Sequence, residues 1–196
     1  MTTGALARVI RGATEGRTGT EEQCELCAAP LQDDHRHLLE TGGDELLCAC
    51  RPCSLLFVKD AASEGRYRLV PQRRVKLRPV DTTTLGVPVG LVFFVPRADG
   101  RVTAQGPSPA GAMRWEVDAA AWRRLAAQHP ELASLEPEVE ALLINTAHGL
   151  DHHWIVPVDD CFRMVAVVRR EWRGLSGGGR VWPAVQDFFA GLTERH

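Results

Sequence analysis

Two C-x-x-C pairs, Cys24-Glu25-Leu26-Cys27 and Cys50-Arg51-Pro52-Cys53, stand 22 residues apart in a chain of 196. A tight C-x-x-C turn presents two thiolates to one point, and two such turns complete a tetrahedron of sulfur. The intervening stretch is long enough for a short β-hairpin. Residues 21–60 offer few sizeable apolar side chains, chiefly Leu31, Leu38, Leu39, Leu46, Leu47, Leu55, Leu56, Phe57 and Val58. A unit of roughly 40 residues cannot hold a shape by burial alone. A structural ion in such a finger supplies on the order of 10–16 kcal/mol, enough to decide whether it folds. The spacing therefore predicts a rubredoxin-like zinc ribbon with Cys24, Cys27, Cys50 and Cys53 as metal ligands. Cys48 stands two residues before Cys50, so an extended strand would turn both thiols to one face and make Cys48 a substitute ligand. Four thiolates suit zinc, and they also suit iron in a rubredoxin-type electron carrier. Such turns commonly carry Gly after the second Cys, and here Ala28 and Ser54 occupy those places.

The cysteines also bear on the compartment. Five of the six fall within residues 24–53, and crowding of this kind reads as metal ligation in a reducing environment. The first residues lack a continuous apolar signal segment, and no apolar stretch reaches the length of a membrane span. These features lead to the expectation of a cytoplasmic protein. A formal net charge of −2 provides no global field toward nucleic acid or membrane.

Four segments follow from composition. Residues 1–20 read as a disordered N-terminus, 21–60 as the zinc-ribbon module, 61–80 as a basic connector and 81–196 as an α+β domain. In the connector, Arg66, Arg68, Arg73, Arg74, Lys76 and Arg78 occur with no acidic residue between Gly65 and Pro79. Their alternation with Val75 and Leu77 would give a strand one basic face, suited to an acidic protein surface or, less well, to nucleic acid, because only Tyr67 is there for base stacking.

The last segment opens with β signals, an apolar run over Val87–Val95 and an Asp99-Gly100 turn leading to a short strand at Arg101–Ala104. Gly106–Gly111 reads as a loop and Met113–Val117 as another short strand. Helices are then predicted over Ala119–Gln128 capped by Asp118, from Pro137 through Val139, Leu142 and Leu143, over Cys161–Arg173 capped by Asp159 or Asp160, and over about 181–193. The fold class is therefore α+β, with a short β-hairpin and about four helices after the ribbon. Gly174–Gly179 reads as a hinge between the last two helices.

Two histidine groups stand out. His35 and His37, in Asp33-Asp34-His35-Arg36-His37, lie between the cysteine pairs and read as part of a solvated hairpin loop. His148-Gly149-Leu150-Asp151-His152-His153 is the stretch most like an enzyme's, and a metal-dependent hydrolase would use it. No HExxH, nucleophile elbow or phosphate-binding loop accompanies it, so the residues point away from an enzyme. Cys161 reads as a small core residue.

Several segments resemble one family: Pro107-Ser108-Pro109-Ala110-Gly111-Ala112, Leu135-Glu136-Pro137-Glu138-Val139-Glu140-Ala141-Leu142-Leu143, Ile155-Val156-Pro157-Val158-Asp159-Asp160-Cys161 and Trp172-Arg173-Gly174-Leu175-Ser176-Gly177-Gly178, together with both cysteine motifs. It is an uncharacterised bacterial family often encoded beside uptake [NiFe]-hydrogenases. The resemblance implies an accessory role in assembly of, or docking to, a hydrogenase subunit or maturation factor. It implies no catalytic residues.

Overall fold

The computed structural model describes residues 22–42, 44–58, 65–87, 90–108, 110–174 and 179–194. The reading of residues 1–20 as disordered, and the centre of the Gly174–Gly179 segment, lie outside them. The chain divides into two compact units, Met1–Pro71 and Gln72–His196. The class is α+β, with two antiparallel sheets and five α-helices among the described residues.

The first unit carries a three-stranded sheet of order β2-β1-β3, with β1 at Arg36–Glu40, β2 at Leu46–Ala49 and β3 at Tyr67–Leu69. One short helix, α1 at Arg51–Ser54, follows β2 with a proline in its first turn. Leu38 and Ala49 are fully buried beside Cys24, with Leu31, Leu47, Phe57, Tyr67 and Leu69 packed around them. Leu39, Leu46 and Val70 of the same unit are buried as well.

The second unit is built on a six-stranded sheet of order β4-β9-β8-β5-β6-β7. Its strands are β4 (Val75–Lys76), β5 (Leu91–Pro96), β6 (Val102–Ser108), β7 (Gly111–Val117), β8 (Glu140–Asn145) and β9 (His152–Pro157). The helices are α2 (Ala119–Gln128), α3 (Pro130–Ala133), α4 (Val158–Glu171) and α5 (Val181–Glu194). On one sheet face Val92, Phe94, Leu142, Ile144 and Ile155 meet Trp122, Leu125, Leu132 and Leu135. Helix α4 lies against β6, β7, β8 and β9.

This sheet is larger than a short hairpin, and the segment after Pro137 is a strand where a helix was expected. The reason is burial on both faces. Every residue of β8 is buried, and a strand covered on both sides reads as a continuous apolar run with no alternation to identify it. The predicted loop at Gly106–Gly111 is mostly strand as well, since β6 pairs with β7 as far as Ser108 opposite Gly111. Gly106 packs closely under Trp115, since a Cβ there would sit 3.1 Å from the indole ring and press it aside by a few tenths of an ångström. Asp118 does cap α2, its carboxylate accepting from Ala121 N–H at 2.7 Å.

The basic stretch is divided between the two units, and several of its cations are committed. Arg66 pairs with Glu40 at 3.2 Å. Arg73 grips the buried Glu140 carboxylate with two bonds of 2.8 and 2.7 Å. Arg74 Nε donates to Asp160 at 2.7 Å, and Arg163 donates to the other oxygen at 2.9 Å. Asp159 and Asp160 lie inside the first turn of α4, and Pro157 holds the cap position. Asp160 is fully buried, so it serves as the anchor of two arginines rather than as a cap.

Removing one member of such a buried cluster strands the others. Asp160→Ala should lower the unfolding free energy of the second unit by about 3–5 kcal/mol. Urea denaturation followed by tryptophan fluorescence measures this. A loss below about 1 kcal/mol would show that the cluster contributes little.

Candidate metal centre

The first C-x-x-C turn is closed by local backbone bonds. Cys24 N–H donates to Ala29 C=O at 2.8 Å, Ala28 N–H donates to Cys24 C=O at 2.7 Å, and Gln23 bridges to Pro30. Two further bonds fasten this turn to β2. Glu25 N–H donates to Cys48 C=O at 2.9 Å, and Cys48 N–H donates to a Glu25 carboxylate oxygen at 2.7 Å. The second pair has a different frame. Cys50 is extended and stands at the N-terminus of α1, which carries Cys53, and Ser54 N–H donates back to Cys50 C=O at 2.9 Å.

These frames bring the sulfurs of Cys24, Cys27, Cys50 and Cys53 within 4.8 Å of one another. No disulfide links any of them. The Cys27 and Cys50 sulfurs are 3.7 Å apart. A tetrahedron with metal–sulfur bonds of about 2.3 Å has edges of about 3.8 Å, so this spacing suits a shared cation far better than a covalent bridge.

The electrostatics point the same way. Burial pushes the Cys24 thiol up, but backbone N–H groups of Cys50, Leu26 and Cys27 outweigh it and bring the thiol down to about 6. The Cys50 sulfur, and then Cys27, push the Cys53 thiol up to about 12. Four thiolates this close repel one another, and a cation at their centre removes the conflict.

Cys48 lies elsewhere, grouped with His35 and His37. The extended course of β2 ends at Ala49 and the chain turns into α1, so the alternation that would align Cys48 with Cys50 is broken. His35 and His37 are not in a solvated loop. Both are partly buried, and the His35 side chain is only 9% exposed. Burial raises the Cys48 thiol, but hydrogen bonding from both imidazoles outweighs this and holds it below the free value. The Cys48 sulfur in turn raises His35.

The histidines of residues 148–153 do not converge on one point. The His148 ring meets Trp182 edge-on at 4.3 Å, and His152 stacks on Phe189 at 4.7 Å. His153 is buried between Asp151, 2.8 Å from its Nε2, and the Val80 N–H, 3.3 Å from its Nδ1. Among the described residues, the groups able to hold a metal all belong to the first unit. A cavity of about 410 Å³ in the second unit is lined mainly by apolar residues, including Leu91, Pro107, Val168, Trp172 and Trp182. Cys161 is fully buried and its thiol lies well above the ordinary value, so it is a core residue.

A family model matches residues 23–196, beginning one residue before the first cysteine ligand candidate. The chain belongs to the family of unknown function DUF5947. No curated protein and no solved structure matches it. The DUF5947 match takes in the cysteine cluster and the six-stranded sheet together, so both units belong to the family's pattern. Among the described residues no helix is long and apolar enough to cross a membrane.

Ala28 carries a cost of this site. Its φ is +58°, the left-handed conformation that glycine takes freely and alanine does not. Ala28→Gly should stabilise the first unit by about 0.5–1 kcal/mol, after the added flexibility of the unfolded chain is deducted. Chelator-challenge unfolding reads the difference. No gain, or a loss, would mean the turn does not retain this conformation in solution.

Proposed function

We propose that this DUF5947 protein is a non-enzymatic, zinc-binding accessory protein whose first unit is a ribbon-like docking module. The convergence of four unbridged sulfurs from two turns supports this most strongly. A closed four-thiolate shell leaves no position for substrate, which suits a structural ion. Zinc is preferred because nothing else at the cluster favours redox iron. Cys24, Cys27, Cys50 and Cys53 would hold the ion, and its contribution would be to fold the unit rather than to react.

The surface next to the cluster favours docking. Leu26 lies inside the first turn, and Leu55, Leu56 and Val58 follow the second. The last three are 65%, 67% and 63% exposed. Exposed large apolar side chains that follow so closely on the ligand turns in sequence are suited to a protein contact. The partner that the sequence resemblance implies is a hydrogenase subunit or maturation factor, with the reducing cytoplasm as the setting. A nucleic-acid partner fits less well, since Arg66, Arg73 and Arg74 already face carboxylates. The hydrolase alternative lacks a convergent histidine site.

Protein purified without added metal should contain zinc and be colourless, and Cys53→Ser should remove one equivalent by elemental analysis. Iron with strong visible absorption would replace this reading with the electron carrier.

Leu55→Asp with Leu56→Asp should leave zinc content unchanged and weaken capture of a hydrogenase-related partner at least tenfold in binding assays. Undiminished capture would move the docking surface elsewhere.

A further inference from the structure

Register alone brings a second set of ligand atoms together. In the β1–β2 pair His37 stands directly opposite Cys48, and Leu38 stands opposite Leu47. Successive residues of a strand point to opposite faces. Leu38, Leu47 and Ala49 face the core that contains Cys24, so His37 and Cys48 point to the other side of the sheet. His35, just ahead of β1, completes the group. A ring nitrogen of each histidine and the Cys48 sulfur lie within 4.8 Å of one another.

The state of His35 is informative. Its Nδ1 lies 2.9 Å from the Gln32 carbonyl oxygen. A carbonyl can only accept, so Nδ1 carries a proton, and a ligand lone pair would have to come from Nε2. That Nε2 is buried without a well-formed hydrogen bond, and the group within its reach is the Cys48 sulfur. A backbone carbonyl gripping the far nitrogen is also the support that metal-bound imidazoles generally have. The two imidazole rings meet edge-on with centroids 4.8 Å apart, so neither ring blocks the other's approach to one point.

We propose that His35, His37 and Cys48 form a second metal site, for zinc or a similar borderline-soft divalent ion, with the fourth tetrahedral position open to water. Two imidazoles and a thiolate are donors such ions accept, and three protein ligands with one exchangeable position describe an open site. The ion would take the His35 Nε2 lone pair and the Cys48 sulfur as ligands in place of their direct contact. The site stands independently of the four-cysteine cluster, since it shares no ligand with it. An open shell should also exchange faster than a closed one, so the two ions should leave at different rates.

Zinc is the probe, and the full chain is the sample. Wild type equilibrated with zinc and freed of excess should hold two equivalents, while His35→Gln and Cys48→Ser each hold one, with the far-ultraviolet circular dichroism spectrum unchanged. A colorimetric chelator should remove one equivalent quickly without loss of that spectrum, and the other slowly with it. Cys53→Ser separates the two sites. Loss of one equivalent there, together with one retained on His35, His37 and Cys48, supports both sites. Full zinc retention in Cys53→Ser with loss in Cys48→Ser would support the second site and overturn the four-cysteine reading. One equivalent in wild type that Cys48→Ser leaves in place overturns the second site, as do two equivalents in Cys48→Ser. Should Cys48→Ser not fold, cobalt titration of wild type decides. A second cobalt equivalent with a weaker thiolate-to-metal band than the first supports the proposal, and a second equivalent with no such band overturns it.

Discussion

Mutual repulsion among closely held thiolates governs the first unit. Among the described residues its buried apolar side chains are Cys24, Leu38, Leu39, Leu46, Ala49 and Val70, and a unit of this size holds its shape by burial only marginally. The same turns that gather four sulfurs also make their ionisation conflict, and this is visible in the opposed displacements of Cys24 and Cys53. The backbone takes the left-handed conformation at Ala28 in the turn that aims Cys24 and Cys27 at one point, and an ion held there would supply far more than that strain costs.

The second unit faces a different problem, a carboxylate in its interior. Its central strand is covered on both faces, yet it carries Glu140, which cannot be left bare. Arg73 supplies a two-pronged partner, and the Glu136 N–H donates to the same carboxylate at 2.9 Å. Asp160 receives Arg74 and Arg163 in the same manner. Adjacent arginines from one short stretch thus pin a strand and a helix far away in sequence. Two residues of a run that looks like a basic surface become, on folding, counter-charges to buried carboxylates.

What could be read in the sequence divides along this line between local and distant pairing. The C-x-x-C turns, the Asp118 cap and the Asp99-Gly100 turn are local devices, and their residues state their geometry. Strand β8 was illegible because Glu140–Asn145 is buried on both sides, and periodicity carries no information without a solvent face. The destination of Arg73 and Arg74 was illegible because their partners lie 67 and 86 residues away. His35 and His37 were misjudged for a related reason. Their neighbours Asp33, Asp34 and Arg36 are polar, and composition alone suggests solvent. Only the register of β1 against β2 reveals that Cys48 is the residue facing His37.

That register also explains why one short segment can serve two sets of ligands without mixing them. Within β2 the side chains of Cys48 and Ala49 must diverge, and Ala49 belongs to the core beside Cys24. Cys48 is thereby committed to the histidine side before the chain reaches Cys50. The β2 pairing stops at Ala49, Cys50 caps α1 and Cys53 lies within it, and both pack on the Cys24 side. A single-residue slip of β1 against β2 would bring Cys48 opposite Arg36 or Leu38 and leave the imidazoles facing aliphatic side chains. The bonds joining Glu25 to both the N–H and the C=O of Cys48 oppose such a slip, so the turn that carries the first cysteine pair also fixes the register on which the histidine group depends.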